Sequence, residues 1–315
     1  MRVGVTGGTG FLGRALVRRL LAQGTPVRVL ARPSPRADEL EAQGAEVVRG
    51  DLNDAAAIER AVERAEVVYH VAAKIEGPGT KSEFFETNVG GTERVLTACT
   101  RAGTGRAVYL SSIAVYGLVR DGERIDESTP YDEAADQRDL YAQSKIAADE
   151  LAVSFATKTG LPVSILRPGI VYGHGNPLPL GLLGFRAGKT NVVFGNRDHR
   201  IPLNYAENLV DAMELAGGLK DGKLRQFVIV DDENLTLAKY HRTKIAADRT
   251  RTLFLPGWPV RLGGPLAGLP AHQVERALQD RRYDTRRIRQ EIGWAPKVPL
   301  REAIEQTVKS DPQKH

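Results

Sequence analysis

The sequence predicts an α/β protein in which a doubly wound parallel sheet is followed by a smaller, less regular C-terminal substrate lobe. Three observations point there. A short run with a β-branched interior, Arg2 to Thr6, opens straight into Gly7-Gly8-Thr9-Gly10-Phe11-Leu12-Gly13 and then an amphipathic stretch, Arg14 to Gln23, ended by Gly24. Strand-like and helix-like segments then alternate to Arg167 without a hairpin signal, as parallel strands joined by right-handed crossovers require. Beyond Val171 that rhythm loosens, and glycine and proline become frequent.

The first strand, turn and helix have separable reasons. Gly7 lets the chain turn sharply, and Gly10 removes a side chain where a pyrophosphate would meet the backbone. Gly13 lets the helix lie close on the strand. The helix N-terminus, near Phe11 and Leu12, offers unpaired N–H groups and a positive dipole end to phosphate. A glycine triplet between strand and helix is the phosphate-binding corner of a Rossmann-type dinucleotide fold.

Val27 to Arg32 reads as the second strand, closed by Pro33-Ser34-Pro35, and Ala37 to Gln43 as a short helix. Ala45 to Arg49 is the third strand, and Asp54 starts a helix through Arg64. Val67 to Ala72 is the fourth strand, Ser82 to Ala102 a long helix, and Ala107 to Ser112 the fifth strand. An irregular, polar segment from Ile113 to Asp139 precedes a helix from Leu140 to Lys158 and a sixth strand from Val163 to Arg167. Ala206 to Gly217 and Leu235 to Asp248 read as helices around a strand at Phe227 to Val230, while the apolar stretch after Pro179 has little strand character. The expected division is a dinucleotide-binding domain over residues 1–172 and a lobe over 173–309 that shapes a substrate pocket. Residues 200–230 or so return to the first domain, and 310–315 form a frayed tail.

Composition narrows the function. Hydrophobic content of 42% and charged content of 26% are ordinary for a globular protein. The net charge of +5 raises the question of nucleic acid, yet the basic residues are scattered. The densest run, Arg281, Arg282, Arg286, Arg287 and Arg289, sits beside acidic residues and reads as the solvated face of a C-terminal helix. Neither nucleic acid nor a membrane is expected as a partner; a small-molecule substrate is. Cys99 is the only cysteine, which excludes an intrachain disulfide and a cysteine-based zinc site, and the histidines show no ligand spacing. No apolar run reaches the length of a membrane span, and Met1 leads directly into the first strand, so a cytoplasmic location is expected.

In a dinucleotide fold the tip of the second strand faces the adenosine ribose. Here it ends in Ala31-Arg32 with no carboxylate, so Arg32, helped by Arg36, favours NADP over NAD, which remains possible. Asp51, just past the third strand and followed by Leu52, is placed to accept from the adenine amino group; the alternative is a turn or cap residue.

Tyr141-Ala-Gln-Ser-Lys145 puts a phenol and an ammonium one helical turn apart on the same face. A nearby cation favours the phenolate, and such a tyrosine can take or give the hydroxyl proton of a secondary alcohol as hydride moves. The spacing alone is cheap, and Tyr240 to Lys244 repeats it, but without a serine-bearing strand end upstream; that pair reads as the surface of a helix. Tyr141 has such a partner, because the strand from Ala107 ends in Ser111-Ser112, and Ser112 can orient the substrate oxygen.

With these residues in place the chain resembles an extended short-chain dehydrogenase/reductase, the group of sugar-nucleotide epimerases, dihydroflavonol reductases and 3β-hydroxysteroid dehydrogenases. The matching pieces run nearly end to end: Thr6 to Gly13, Gly50-Asp51-Leu52, His70-Val-Ala-Ala73, Asn88-Val-Gly-Gly-Thr92 and Ser111 to Gly117, then Tyr141 to Lys145, Leu166 to Gly173 and Ile292 to Pro296. The resemblance implies that Lys145 also bonds the nicotinamide ribose, that Ala72 and Ala73 pass under the cofactor, and that Pro168 and Gly169 lie beside the nicotinamide. It gives Asn88 a supporting role at the strand ends and makes a homodimer possible. The family's adenine-contacting acid maps to Asp51, and Arg32 is similar to the NADP-using reductase branch. Two departures narrow the activity. Where the family's dehydratases carry Asp-Glu after the catalytic hydroxyl, this chain has Ile113-Ala114, and Pro168-Gly169-Ile170 offers no asparagine of the epimerase kind. Arg200 does resemble a pyrophosphate ligand of sugar nucleotides. The expected function is an NADP-preferring oxidoreductase that interconverts a ketone and a secondary alcohol with Ser112, Tyr141 and Lys145. The alternatives are a sugar-nucleotide epimerase and a dinucleotide-binding redox sensor without turnover.

Overall fold

The computed structural model describes residues 2–75, 77–117, 122–176, 184–248, 250–264 and 271–309. The expected tail at 310–315 lies outside the described residues, as do parts of both glycine- and proline-rich stretches.

In chain order the strands begin with β1 (Val3–Thr6), β2 (Val27–Ala31), β3 (Glu46–Arg49), β4 (Val67–His70) and β5 (Arg106–Leu110). They continue with β6 (Arg124–Ile125), β7 (Val163–Pro168), β8 (Ile170–Tyr172), β9 (Gly184–Ala187) and β10 (Thr190–Phe194). The last are β11 (Leu203–Tyr205), β12 (Arg225–Ile229), β13 (Arg251–Leu255) and β14 (Arg282–Tyr283). Seven of them form one sheet in the order β12-β7-β5-β4-β1-β2-β3, parallel at every pairing. The chain winds outward from β1 in both directions, and this reversal leaves a crevice at the carboxyl ends of β1 and β4.

Helices cover both faces. On one side α1 (Phe11–Ala22) and α7 (Ala206–Gly217) bury Leu16, Val17, Leu20, Leu209 and Met213 against Val3, Val5 and Phe227. Beside α1 runs α2 (Pro35–Ala42), started by the Ser34 cap on Ala37 N–H. On the other side α3 (Ala55–Val62), α4 (Lys81–Phe85), α5 (Gly91–Arg101) and α6 (Leu140–Thr159) follow one another in the chain. Ile58, Val95, Leu96, Ala148 and Ala152 of that layer pack on Val68, Tyr109 and Ile165. The carboxylate of Asp139 starts α6 by accepting from Ala142 N–H at 2.9 Å, and Gly160, at φ +73°, ends it. The remaining helices are α8 (Leu237–Asp248), α9 (Trp258–Gly263), α10 (Ala271–Leu278), α11 (Arg286–Ile292) and α12 (Leu300–Lys309). Ala303 and Ile304 of α12 and Tyr240 of α8 share a separate core with Tyr172, Leu203 and Tyr205.

Four expectations change. The long helix from Ser82 is interrupted by a π-helical turn, Glu86–Gly90, whose extra residue accompanies a buried Asn88. Gly91 follows because a Cβ there would lie 2.9 Å from Leu52. The apolar stretch after Pro179 does form strands: β9 and β10 are an antiparallel hairpin closed by Gly188-Lys189, with Gly188 at φ +57°. Its two-residue turn carries the signal that hydrophobicity hides. Tyr240 is not on a helix surface but fully buried, because α12 covers α8. Arg281, too, is buried and donates to the Gly117 carbonyl, so the C-terminal arginine run is only partly solvated.

Candidate active site

The glycine turn abuts the loop after β4. Gly7 has φ +76°, and a Cβ there would stand 2.6 Å from the Ala72 amide nitrogen. At Gly13 a Cβ would stand 2.1 Å from the Gly7 carbonyl oxygen, so helix and turn touch through backbone alone. Gly10 is different: its Cβ would meet only that same oxygen, at 3.2 Å, and its outer side is open. A cradle of this kind fits a pyrophosphate. Leu12 is buried, and Phe11 reaches across to Gly173 in the later part of the chain. Ala73 follows Ala72 at the mouth of the turn. On the opposite side Pro168 ends β7, and Gly169 N–H donates to Asn204 Oδ1 at 2.7 Å. Asn204 is itself anchored by Asp231, whose carboxyl burial pushes up to about 6.

At the tip of β2, Arg32 and Arg36 are exposed. Arg14 joins them from α1: its acidity is raised by burial first and then by the charges of Arg36 and Arg18, with Glu39 opposing. Its Nε is buried without a hydrogen-bond partner, and among the described residues Arg14, Arg32 and Arg36 form no ion pair. The like charges of Arg14 and Arg36, close enough to act on one another, suit an anion. Asp51 is exposed and accepts from Asn53 N–H at 2.8 Å, the turn role that its sequence position allows; Leu52 beside it is buried.

Ser112 follows β5, and its Oγ accepts from Ala114 N–H at 3.0 Å, which fixes the hydroxyl at the strand end. The Tyr141 phenol lies beside the Ser112 side chain. Burial raises the phenol above its ordinary value, and the Ser112 hydroxyl offsets part of that. Serine and tyrosine thus lie together at the end of β5. Lys145 is held differently. Its Nζ donates to Leu110 O at 2.7 Å and Tyr109 Oη at 3.1 Å, and burial pulls the ammonium down to about 8 against the charge of Asp149. Lys145 is not a cause of the Tyr141 shift, so the expected cation-lowered phenol is not what this arrangement gives; the phenol stays protonated at neutral pH.

Asn88 is held by three side-chain hydrogen bonds. Its amide accepts from Lys74 N–H at 2.7 Å, donates to Lys74 O at 3.0 Å and donates to Ser144 Oγ at 2.8 Å. It thus ties the loop after Ala73 to the helix turn between Tyr141 and Lys145. Sequence reading missed a polar rung beneath this site. Thr6, His70 and Tyr109 are register partners on the adjacent strands β1, β4 and β5. Thr92 Oγ1 donates to Asn88 O at 2.6 Å, so it accepts from His70 Nε2 at 2.9 Å. The His70 Nδ1 then accepts from Thr6 Oγ1 at 2.7 Å, and Thr6 accepts from Ala72 N–H at 3.4 Å. Burial drives His70 down to about 3, assisted by the charge of Lys145, and keeps the ring neutral. A polar residue near the carboxyl end of three successive apolar strands is the signal that could have found it.

Arg200 is committed elsewhere. Its backbone N–H and guanidinium take the two oxygens of Asp280 at 2.9 and 2.6 Å. Among the described residues no group of three or more His, Cys, Asp or Glu could hold a metal ion, and no helix is long and apolar enough to cross a membrane.

A family model described as the NAD dependent epimerase/dehydratase family matches residues 3–229. The chain belongs to that family. Among curated members it is 31% identical to a 3 beta-hydroxysteroid dehydrogenase/Delta 5-->4-isomerase of Mycobacterium tuberculosis, over 96% of this chain and 88% of the relative. It is also 31% identical to a 2-alkyl-3-oxoalkanoate reductase of Stenotrophomonas maltophilia, over 96% of this chain and 97% of the relative. Its fold matches that of MoeE5 in complex with UDP-glucose and NAD, with a TM-score of 0.76, 23% identity and coverage of 100% and 99% of the two chains. The resemblance to extended short-chain dehydrogenase/reductases holds, and with it an NAD(P)-dependent enzyme of the reductase and epimerase group.

Proposed function

We propose that the protein is an NADP-preferring reductase of a ketone, reversible to the secondary alcohol. The observation that carries this reading is the pairing of Ser112 with Tyr141 at the carboxyl end of β5. When bound, the nicotinamide supplies hydride to the carbonyl carbon. Ser112 donates to the carbonyl oxygen, and Tyr141, protonated at neutral pH, delivers the proton that the developing alkoxide needs. Lys145 holds the ribose, and Gly7, Gly10 and Gly13 with Ala72 and Pro168 hold the rest of the dinucleotide.

Ile113 and Ala114 cannot move protons, which speaks against dehydration. Arg200, engaged with Asp280, is a poor candidate for a sugar-nucleotide pyrophosphate, which favours a reductase over an epimerase. The names of the mycobacterial and Stenotrophomonas relatives, a dehydrogenase and a reductase of oxo compounds, agree with it. Arg14, Arg32 and Arg36, which form no ion pair among the described residues, support a 2′-phosphate and hence NADP. We assign substrate binding to the lobe after residue 173. Two titrations test the reading. NADPH should bind more tightly than NADH, and Arg32→Asp should reverse or abolish that preference; equal affinity in the parent would remove Arg32 from the argument. With a panel of ketones and sugar nucleotides, NADPH absorbance should fall in proportion to alcohol formed. Interconversion of UDP-sugars without net cofactor change would establish the epimerase instead.

A further inference from the structure

We propose that Tyr109 is a positioning residue, whose hydroxyl pins the Lys145 ammonium at the end of β5 and ties it through Thr92 to the His70 rung. An ammonium has three N–H donors and no acceptor. Leu110 O and Tyr109 Oη take two of them, at 2.7 and 3.1 Å, which leaves one for a ligand. The phenol can accept from Lys145 because its own proton has somewhere to go: Tyr109 lies beside the Thr92 hydroxyl. Thr92 Oγ1 donates to Asn88 O and accepts from His70 Nε2, which leaves its second lone pair for the Tyr109 proton. The chain of donors therefore has one direction and no unpaired end.

The tyrosine ring is held as firmly as its hydroxyl. It is buried, stacks on His70 with centroids 5.5 Å apart, and lies under the Lys145 Nζ at 4.6 Å. Lys145 is faced by Tyr109 from β5 and by His70 from β4. Tyr141 and Asp149 share its helix, with Asp149 paired to Arg167 of β7 at 2.6 Å. Asp149 is thus largely occupied, and two neutral oxygens carry the buried cation. Removing one of them favours the neutral amine.

Tyr109→Phe keeps the ring and deletes the hydroxyl. The Lys145 side-chain NMR signal, assigned by its absence in Lys145→Met, should titrate near pH 8 in the parent and about one pH unit lower in Tyr109→Phe. A merely structural tyrosine would lower stability without moving that midpoint, and an unmoved midpoint in folded Tyr109→Phe overturns the proposal. Should that variant not fold, Thr92→Ala replaces it: the midpoint should fall there and return in Thr92→Ser, and no change in Thr92→Ala is again a refutation. The proposal rests on the assignment of Lys145 to the cofactor only for its consequence, so NADPH affinity is read separately. It should be about tenfold weaker in Tyr109→Phe at pH 8.5 and near the parent value at pH 6. A midpoint that moves while affinity does not would support Tyr109 as the anchor and remove Lys145 from cofactor binding.

Discussion

Tyr141 and Tyr240 carry the same four-residue spacing to a lysine, and their surroundings separate them. Tyr141 ends at a serine hydroxyl at the open end of the sheet, whereas Tyr240 lies in the core between α8 and α12. Tyr141→Phe should leave folding and NADPH binding intact and lower turnover by about two to four orders of magnitude. Tyr240→Phe is the control with a twist, because the residue is buried: the melting temperature should fall by a few degrees while the rate per folded molecule holds. Equal losses of rate in two folded variants would misplace the active site. Both effects are read by steady-state kinetics and thermal denaturation of the same preparations. A third tyrosine, Tyr109, shows what single-residue reading cannot reach: its place near the strand end marks a polar rung, but only register brings it to Lys145.

At the scale of elements, the rung Thr6–His70–Tyr109 makes three strand ends behave as one object. Its imidazole must stay neutral to accept at one nitrogen and donate at the other. The folded ring sits at about 3 and the unfolded one at its ordinary value of 6.5, so acid favours the unfolded chain. Stability from this ring is present above pH 6.5 and is lost as pH falls toward 3, by about 3 kcal/mol between pH 6.5 and 4. His70→Gln should be less stable than the parent at pH 7, and the gap should narrow as the pH is lowered to 4 in urea titrations. A gap constant with pH would mean that the ring takes up a proton as readily in the folded chain as in the unfolded one. The strands and helices on which this rung stands were readable because each repeats a simple cue: a β-branched run into glycine, an Asp cap before an alanine-rich helix, a Gly at its end. What escaped was set by partners distant in the chain. Asn88 turns inward at a π turn to reach Lys74 and Ser144, and Arg281 is drawn under Gly117. The Ser112–Tyr141 pair was legible because a strand end and a helix start fix it locally. The resting place of Lys145 was not, since it depends on which residues β4 and β5 bring level.

Across the whole molecule, the last residues close what the first residues open. Trp294 Nε1 donates to Asn208 O at 2.9 Å, and Asn208 Oδ1 accepts from Lys297 and Val298 N–H at 3.0 and 2.8 Å. The same side chain donates to Asp231 at 2.9 Å, which holds Asn204 and through it Gly169. A chain ending at residue 299 keeps this clasp but loses α12, and with it Ala303 and Ile304 from the core around Tyr172, Tyr205 and Tyr240. It should lose about 3–5 kcal/mol of stability and much of its cofactor affinity, measured by denaturation and fluorescence titration. Full affinity in that truncated chain would show that the tyrosine core does not support Gly169. The clasp also bears on how the protein is made. A ribosome delivers the glycine turn well before Trp294, and domains fold in that order as they emerge. Until residue 298 is out, Asn208 has no backbone partners from the C-terminal segment, and the Gly169 side of the crevice lacks its brace. A chain stopped before residue 298 therefore carries a finished phosphate corner on an unfinished jaw, and the cleft becomes able to hold what it binds only once that late segment has joined it.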